Sequence, residues 1–118
     1  MEPDRHVREA LAELFKTQGY DVVEEANCNA VISRVIEVDP DVVLLAQEMV
    51  DYEKSDIITL LRRLMDGIIV VIGDDREGEL VAALLEGADI YMGKPVNYRE
   101  LMARVRAYRR RSELGDTA

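Results

Sequence analysis

The run Ile68-Ile69-Val70-Val71-Ile72 constrains the fold more than any other stretch of this chain. Side chains branched at Cβ are stiff at χ1 and favour an extended backbone. The run is too short for a helix and apolar on both faces. It therefore reads as a strand covered from above and below, as in a parallel sheet sandwiched between helices. Asp66-Gly67 supplies a turn into it. Val42 to Leu45 form a second apolar run of the same kind, entered through Asp39-Pro40.

Around these runs the periodicity becomes helical. Residues 5–17 place Val7, Ala10, Leu11, Leu14 and Phe15 on one face, with Asp4 as cap and Gly19 beyond the end. Tyr20 to Glu25 read as a short strand. Residues 29–38 predict a helix with Ile32, Val35 and Ile36 inward, and residues 46–54 a loop. Ser55 or Asp56 caps a helix that turns Ile57, Leu60, Leu61 and Leu64 inward. Residues 76–86 predict a helix with Leu80, Val81, Leu84 and Leu85 inward, closed by Gly87. Asp89 to Met92 follow as a strand, and Asn97 caps a last helix with Leu101, Met102, Val105 and Tyr108 along one side. This order predicts an α/β fold, a doubly wound parallel sheet with helices on both faces. Such a sheet ordinarily opens on a strand, whereas this sequence opens on a helix, so its first strand is expected to be missing. Residues 1–112 read as one domain and residues 113–118 as a tail or the start of a linker.

Composition narrows the function classes. A net charge of −9 argues against holding nucleic acid by neutralising phosphates and favours a basic partner. The basic run Arg109, Arg110 and Arg111 reads as a complement to a helix C-terminus. No apolar run is long enough to predict a membrane span, and the charged start MEPDRHVREA does not read as a signal peptide. A single cysteine, Cys28, suits a reducing cytoplasm and reads as packed rather than reactive. His6 reads as a surface residue, and Met65 and Met102 fit core spacing. DDREGE, residues 74–79, sets acidic charge where a phosphate-binding loop would need glycines and donors, and no glycine-rich fingerprint follows a strand. No cofactor is expected.

Three stretches together resemble the receiver domain of two-component response regulators. EGADIYMGKPVNYRELMARVRAYRRR, residues 86–111, is similar to the end of a receiver that feeds a winged-helix DNA-binding domain, the OmpR/PhoB-like class. REALAELFKTQGYDVVEEAN, residues 8–27, resembles the first helix and second strand, and DVVLLAQEM the third strand with its phosphoacceptor loop. The resemblance implies a flavodoxin-like sheet in which an acidic pair helps hold magnesium and an aspartate ending the third strand takes a phosphoryl group. A serine or threonine ends the fourth strand, and a lysine followed by a cis proline ends the fifth. The chemistry is coherent, because a carboxylate attacking phosphorus needs a cation to offset crowded negative charge.

Carried over residue by residue, the resemblance retains Lys94, Pro95 and the aromatic Tyr91. It places the phosphoacceptor position at Ala46 and the hydroxyl position at Gly73. Counting back from Gly19-Tyr20 puts the acidic pair at Glu2 and Pro3 and leaves only Met1 of the first strand. VDYEKSD, after the phosphoacceptor position, is longer than the family pattern. A methyl group cannot accept phosphate. The expectation is thus an atypical, non-phosphorylatable, non-enzymatic receiver that signals by binding another protein or its own copy and regulates a DNA-binding output. Lys94 is expected in solvent or paired with Glu48, Asp51, Asp74 or Asp75. Those acids read as solvated loop carboxylates rather than metal ligands. Two routes to a homodimer are expected. One covers the surface opened by the missing strand, and the other pairs a face carrying Asp89, Arg99, Glu100, Arg104 and Arg106. The alternatives are a receiver phosphorylated at a displaced Glu48 or Asp51, or a small-ligand-binding α/β module.

Overall fold

A computed structural model describes residues 4–25, 27–53, 56–74 and 77–113. The elements are α1 (Arg5–Thr17), α2 (Cys28–Val38), β1 (Val42–Ala46), α3 (Gln47–Tyr52), α4 (Ile57–Leu64), β2 (Ile68–Gly73), α5 (Glu77–Glu86), β3 (Ile90–Gly93) and α6 (Tyr98–Glu113). The three strands form one parallel sheet in the order β1-β2-β3. Val42 to Ala46 pair in register with Ile68 to Ile72, and Val70 to Gly73 with Ile90 to Gly93.

Every residue of β2 is buried, as its all-apolar sequence requires. Its side chains alternate between two cores. Ile69 and Val71 pack with Leu45, Ile57, Leu61 and Val35 on the face covered by α2, α3, α4 and α5. Ile68, Val70 and Ile72 pack with Phe15, Leu101 and Val105 on the face covered by α1 and α6. Cys28, Met65 and Met102 are buried in these cores. Asp4 caps α1 by accepting from the amides of His6 and Val7, and Asn97 caps α6 through the Glu100 amide.

Several expectations need correction. Tyr20 to Glu25 do not form a strand. The run stays outside the sheet, because a strand exists only where a neighbour completes its ladder. Residues 47–52 are helical rather than a loop, with Val50 buried and Gln47 donating to Asp51 one turn on. Asp56 stands at the start of α4 without a side-chain capping bond, and Ser55 lies outside the described residues. Helical faces are rotated or uncovered at Ile36, Leu60, Leu64, Val81, Leu84 and Leu85, all exposed, while Ile58 is buried in place of Leu60. Arg109 stacks on the Tyr20 ring and donates to its hydroxyl, so it does more than complement a helix end.

One polar node ties α4, the turn after it and the entry to β3 together. Arg62 donates from Nη1 to Asp89 at 2.9 Å and from Nη2 to the carbonyls of Met65 and Gly67 at 2.9 and 2.8 Å. Asp89 Oδ2 also accepts from the Ile69 amide at 2.8 Å. Asp89, expected on the dimer face, is engaged with Arg62 and the Ile69 amide. A Cβ at Gly67 would lie 2.5 Å from the Asp41 carbonyl oxygen, so the turn needs glycine for this close approach to the chain entering β1. Burial, joined by the Asp89 carboxylate, pushes the Tyr108 phenol above its usual value. Asp89→Ala removes the carboxylate partner of the Arg62 guanidinium, which keeps its carbonyl acceptors, and takes the side-chain acceptor from the Ile69 amide in a half-buried setting. It should cost about 2 kcal/mol in urea unfolding, against about 0.5 kcal/mol or less for Glu100→Ala, whose partner Arg104 is solvent-exposed.

Candidate functional site

In a parallel sheet with helices on both faces, the carboxyl ends of the strands open toward one edge of the molecule, where ligands are usually bound. Here those ends are Ala46, Gly73 and Gly93, followed by Lys94. Ala46 is 1% exposed and starts α3 directly. Gly73 is buried, and its carbonyl accepts from the Lys94 amide at 2.9 Å, which fixes the β3 terminus beside β2. The Lys94-Pro95 peptide is cis. The family positions expected at Ala46, Gly73, Lys94 and Pro95 therefore do gather at one end of the sheet.

The Lys94 ammonium lies 2.8 Å from the Glu48 carboxylate. Of the acids weighed as its partner, Glu48 is the one it meets in a described ion pair. Asp51 accepts from Gln47 instead, and Asp75 lies outside the described residues. With Glu48 59% exposed, the pair is worth at most about 1 kcal/mol.

Tyr91 is buried, with its hydroxyl donating to the Asp74 carbonyl at 2.6 Å. Glycine at position 73 makes this packing feasible. A Cβ there would stand 2.5 Å from the Tyr91 hydroxyl and 2.8 Å from Gln47 Cβ. The ring thus fills space that any larger residue at position 73 would claim. No sequence signal foretold this; it follows from the register that sets Gly73 two residues beyond Val71, the partner of Tyr91, and so on the same face of the sheet.

A divalent cation fits this end poorly on the donors described. The strand-end carboxylate is replaced by a methyl, Glu48 is neutralised by Lys94, and the positions expected for an acidic pair, Glu2 and Pro3, lie outside the described residues. Among the described residues no group of three or more His, Cys, Asp or Glu side chains is placed to hold a metal. His6 is exposed on α1.

The face of α5, β3 and α6 carries the remaining candidates. Glu100 and Arg104 pair with each other at 2.8 Å, Arg99 is exposed, and Arg106 reaches Gln18 on the α1 side. A groove lined by Leu80, Tyr91, Pro95, Glu100 and Arg104 runs along this face. Val81, Leu84 and Leu85 are exposed on α5, Leu85 at 82%.

The sequence profile of the response regulator receiver domain matches residues 1–106, and the chain belongs to that family. Response regulator MprA of Mycobacterium leprae is 36% identical over 121 residues, an alignment covering 100% of this chain and 53% of that protein. The chain thus spans about half the length of the curated relatives it matches. A CheY-like receiver domain protein from Methanospirillum hungatei superposes with a TM-score of 0.84 at 19% identity, covering 95% of this chain and 91% of that one. A response regulator from Burkholderia pseudomallei, solved with a phosphorylated aspartic acid, calcium and citrate, gives 0.79 at 19% identity, covering 97% and 68%. At such identity these two likenesses speak for the fold. Among the described residues no helix is long and apolar enough to cross a membrane.

Gly73→Thr should expel the Tyr91 ring. We expect a loss of about 1–3 kcal/mol in urea unfolding and a Tyr91 hydroxyl that exchanges freely, read by NMR of ring-labelled protein. Unchanged Tyr91 resonances would show that the ring does not depend on the glycine.

Proposed function

We propose that this receiver domain is non-phosphorylatable and works as a non-enzymatic, cytoplasmic signalling module that acts through protein–protein contact. Its output would be control of an attached or partner DNA-binding domain. The observation that carries the reading is the buried methyl of Ala46 at the strand end where the family's chemistry needs a carboxylate, with Lys94 drawn away to Glu48. Phosphoryl transfer needs a nucleophile and charge compensation around it. Displaced acceptors are disfavoured by the same geometry, since Glu48 is tied to Lys94 and Asp51 to Gln47. Tyr91, already packed inward through Gly73, supports a conformation set by packing rather than by phosphate.

Incubation with acetyl phosphate and Mg²⁺ should leave the intact mass unchanged. A gain of one phosphoryl group would overturn the reading in favour of Glu48, Asp51 or another displaced acceptor.

The contact surface we favour for homodimerisation is the face of α5, β3 and α6. Exposed apolar side chains on α5 and a paired acid and base on α6 supply the elements of an isologous patch. Its charged members would be Asp89, Arg99, Glu100, Arg104 and Arg106, of which Asp89 also meets Arg62, Glu100 meets Arg104, and Arg106 meets Gln18. The combined change Leu85→Lys and Arg104→Glu should weaken self-association at least about tenfold by sedimentation equilibrium, a loss of about 1.4 kcal/mol. An unaltered dimer would remove this face from the proposal.

A further inference from the structure

α3 is six residues long and follows β1 without a break. A helix of that length does not stand alone, because nucleating its first turn costs more than its few backbone bonds return. Ala46, at its N-cap, supplies no side-chain capping bond. Its order therefore comes from what its side chains touch. In the middle, Val50 is buried in the core that holds Val31, Ile57 and Ile69. At the N-terminal end Glu48 meets the Lys94 ammonium at 2.8 Å. Just past the C-terminal end Glu53 accepts from the Cys28 amide, with Oε2 at 3.1 Å.

The two polar holds reach different parts of the molecule. Lys94 follows β3, so its pair with Glu48 joins the end of β1 to the end of β3, with β2 the strand between them. Cys28 is the first residue of α2, where an amide has no acceptor within the helix. Asn27 takes up the Ala30 amide through its side chain, and Glu53 takes up that of Cys28. A carboxylate there also meets the positive end of the helix dipole. A residue placed after β1 thus completes the cap of a helix that starts 25 residues earlier.

Both holds need α3 to be wound. When it unwinds, Glu48 and Glu53 lose their geometry together, so weakening one hold raises the fraction of time the other is open. We propose that α3 is a strap closed across the carboxyl ends of the strands, and that releasing Lys94 at one end frees the first turn of α2 at the other. In its closed form the strap shuts the edge of the sheet where ligands are usually received, with Ala46 and Gly73 buried. The Glu48–Lys94 pair is the hold that yields first, since Glu48 is largely exposed. The strap operates whether or not the domain takes phosphate, so its test and the acetyl phosphate test fail separately.

The test is amide hydrogen exchange of the full chain under native conditions, followed residue by residue by NMR. In the parent chain the Cys28 and Glu53 amides should open together, at lower free energy and with weaker urea dependence than the amides of β2. Glu48→Gln removes the charge at one end with little change in helix propensity. We expect both amides to exchange about two- to fivefold faster in it, the range an exposed ion pair allows. Lys94→Gln should do the same, and the two changes together should do no more than either alone. Glu13→Gln, an exposed acid on α1, should leave both rates unchanged. Unaltered Cys28 exchange in Glu48→Gln, or acceleration confined to the Glu53 amide, would overturn the proposal. Opening of Cys28 only together with β2, or equal acceleration in Glu13→Gln, would also overturn it by reporting global unfolding or net charge instead.

Discussion

Burial of β2 on both faces and both edges is the constraint on which the rest of the structure depends. A strand with no polar side chain must have its backbone groups taken up by neighbours and its side chains covered by helices. β1 and β3 meet the first demand, and the layers of α2–α5 and of α1 with α6 meet the second. Hydrophobic burial supplies the driving force without direction. Direction comes from polar anchoring at the strand's entrance, where Arg62 and Asp89 pin the Ile69 amide and the turn at Gly67. Register follows, and with it the placement of Ala46, Gly73 and Lys94 at a common end.

What could be read from sequence divides along the same physical line. Elements whose signal is local were legible: the β-branched run of β2, the Asp4 and Asn97 caps, and the α1 periodicity. The alignment of Ala46, Gly73 and Lys94 was legible through resemblance to receivers. Elements that depend on a neighbour were not. Tyr20–Glu25 has a strand's composition but no partner to complete its ladder, so propensity alone misleads. Periodicity tells which residues share a helix face, but not whether another layer covers that face. Val81, Leu84 and Leu85 stay exposed for that reason. The close approach of Tyr91 to Gly73 depends on cross-strand register, which no single stretch of sequence encodes.

The α5–β3–α6 face carries exposed apolar side chains on α5. Apolar surface grouped in this way is a mark of interaction sites rather than of scattered exposure. That face presents side chains and so selects for a complementary surface.

The electrostatics of the strand ends bear on how such a module is switched. A buried carboxylate at position 46 would be costly unless a cation stood beside it, and that tension makes a site responsive to phosphate and metal. With a methyl at Ala46 the tension is absent, and Lys94 relaxes into a partly exposed pair with Glu48 of small worth. The Tyr91 ring is meanwhile held in its buried position by the space that Gly73 leaves open. On the proposed reading, a change of state comes from a ligand that binds one conformation better than another, and it can shift the balance only by that difference in affinity. On the same reading, such a domain responds to the concentration of its partner.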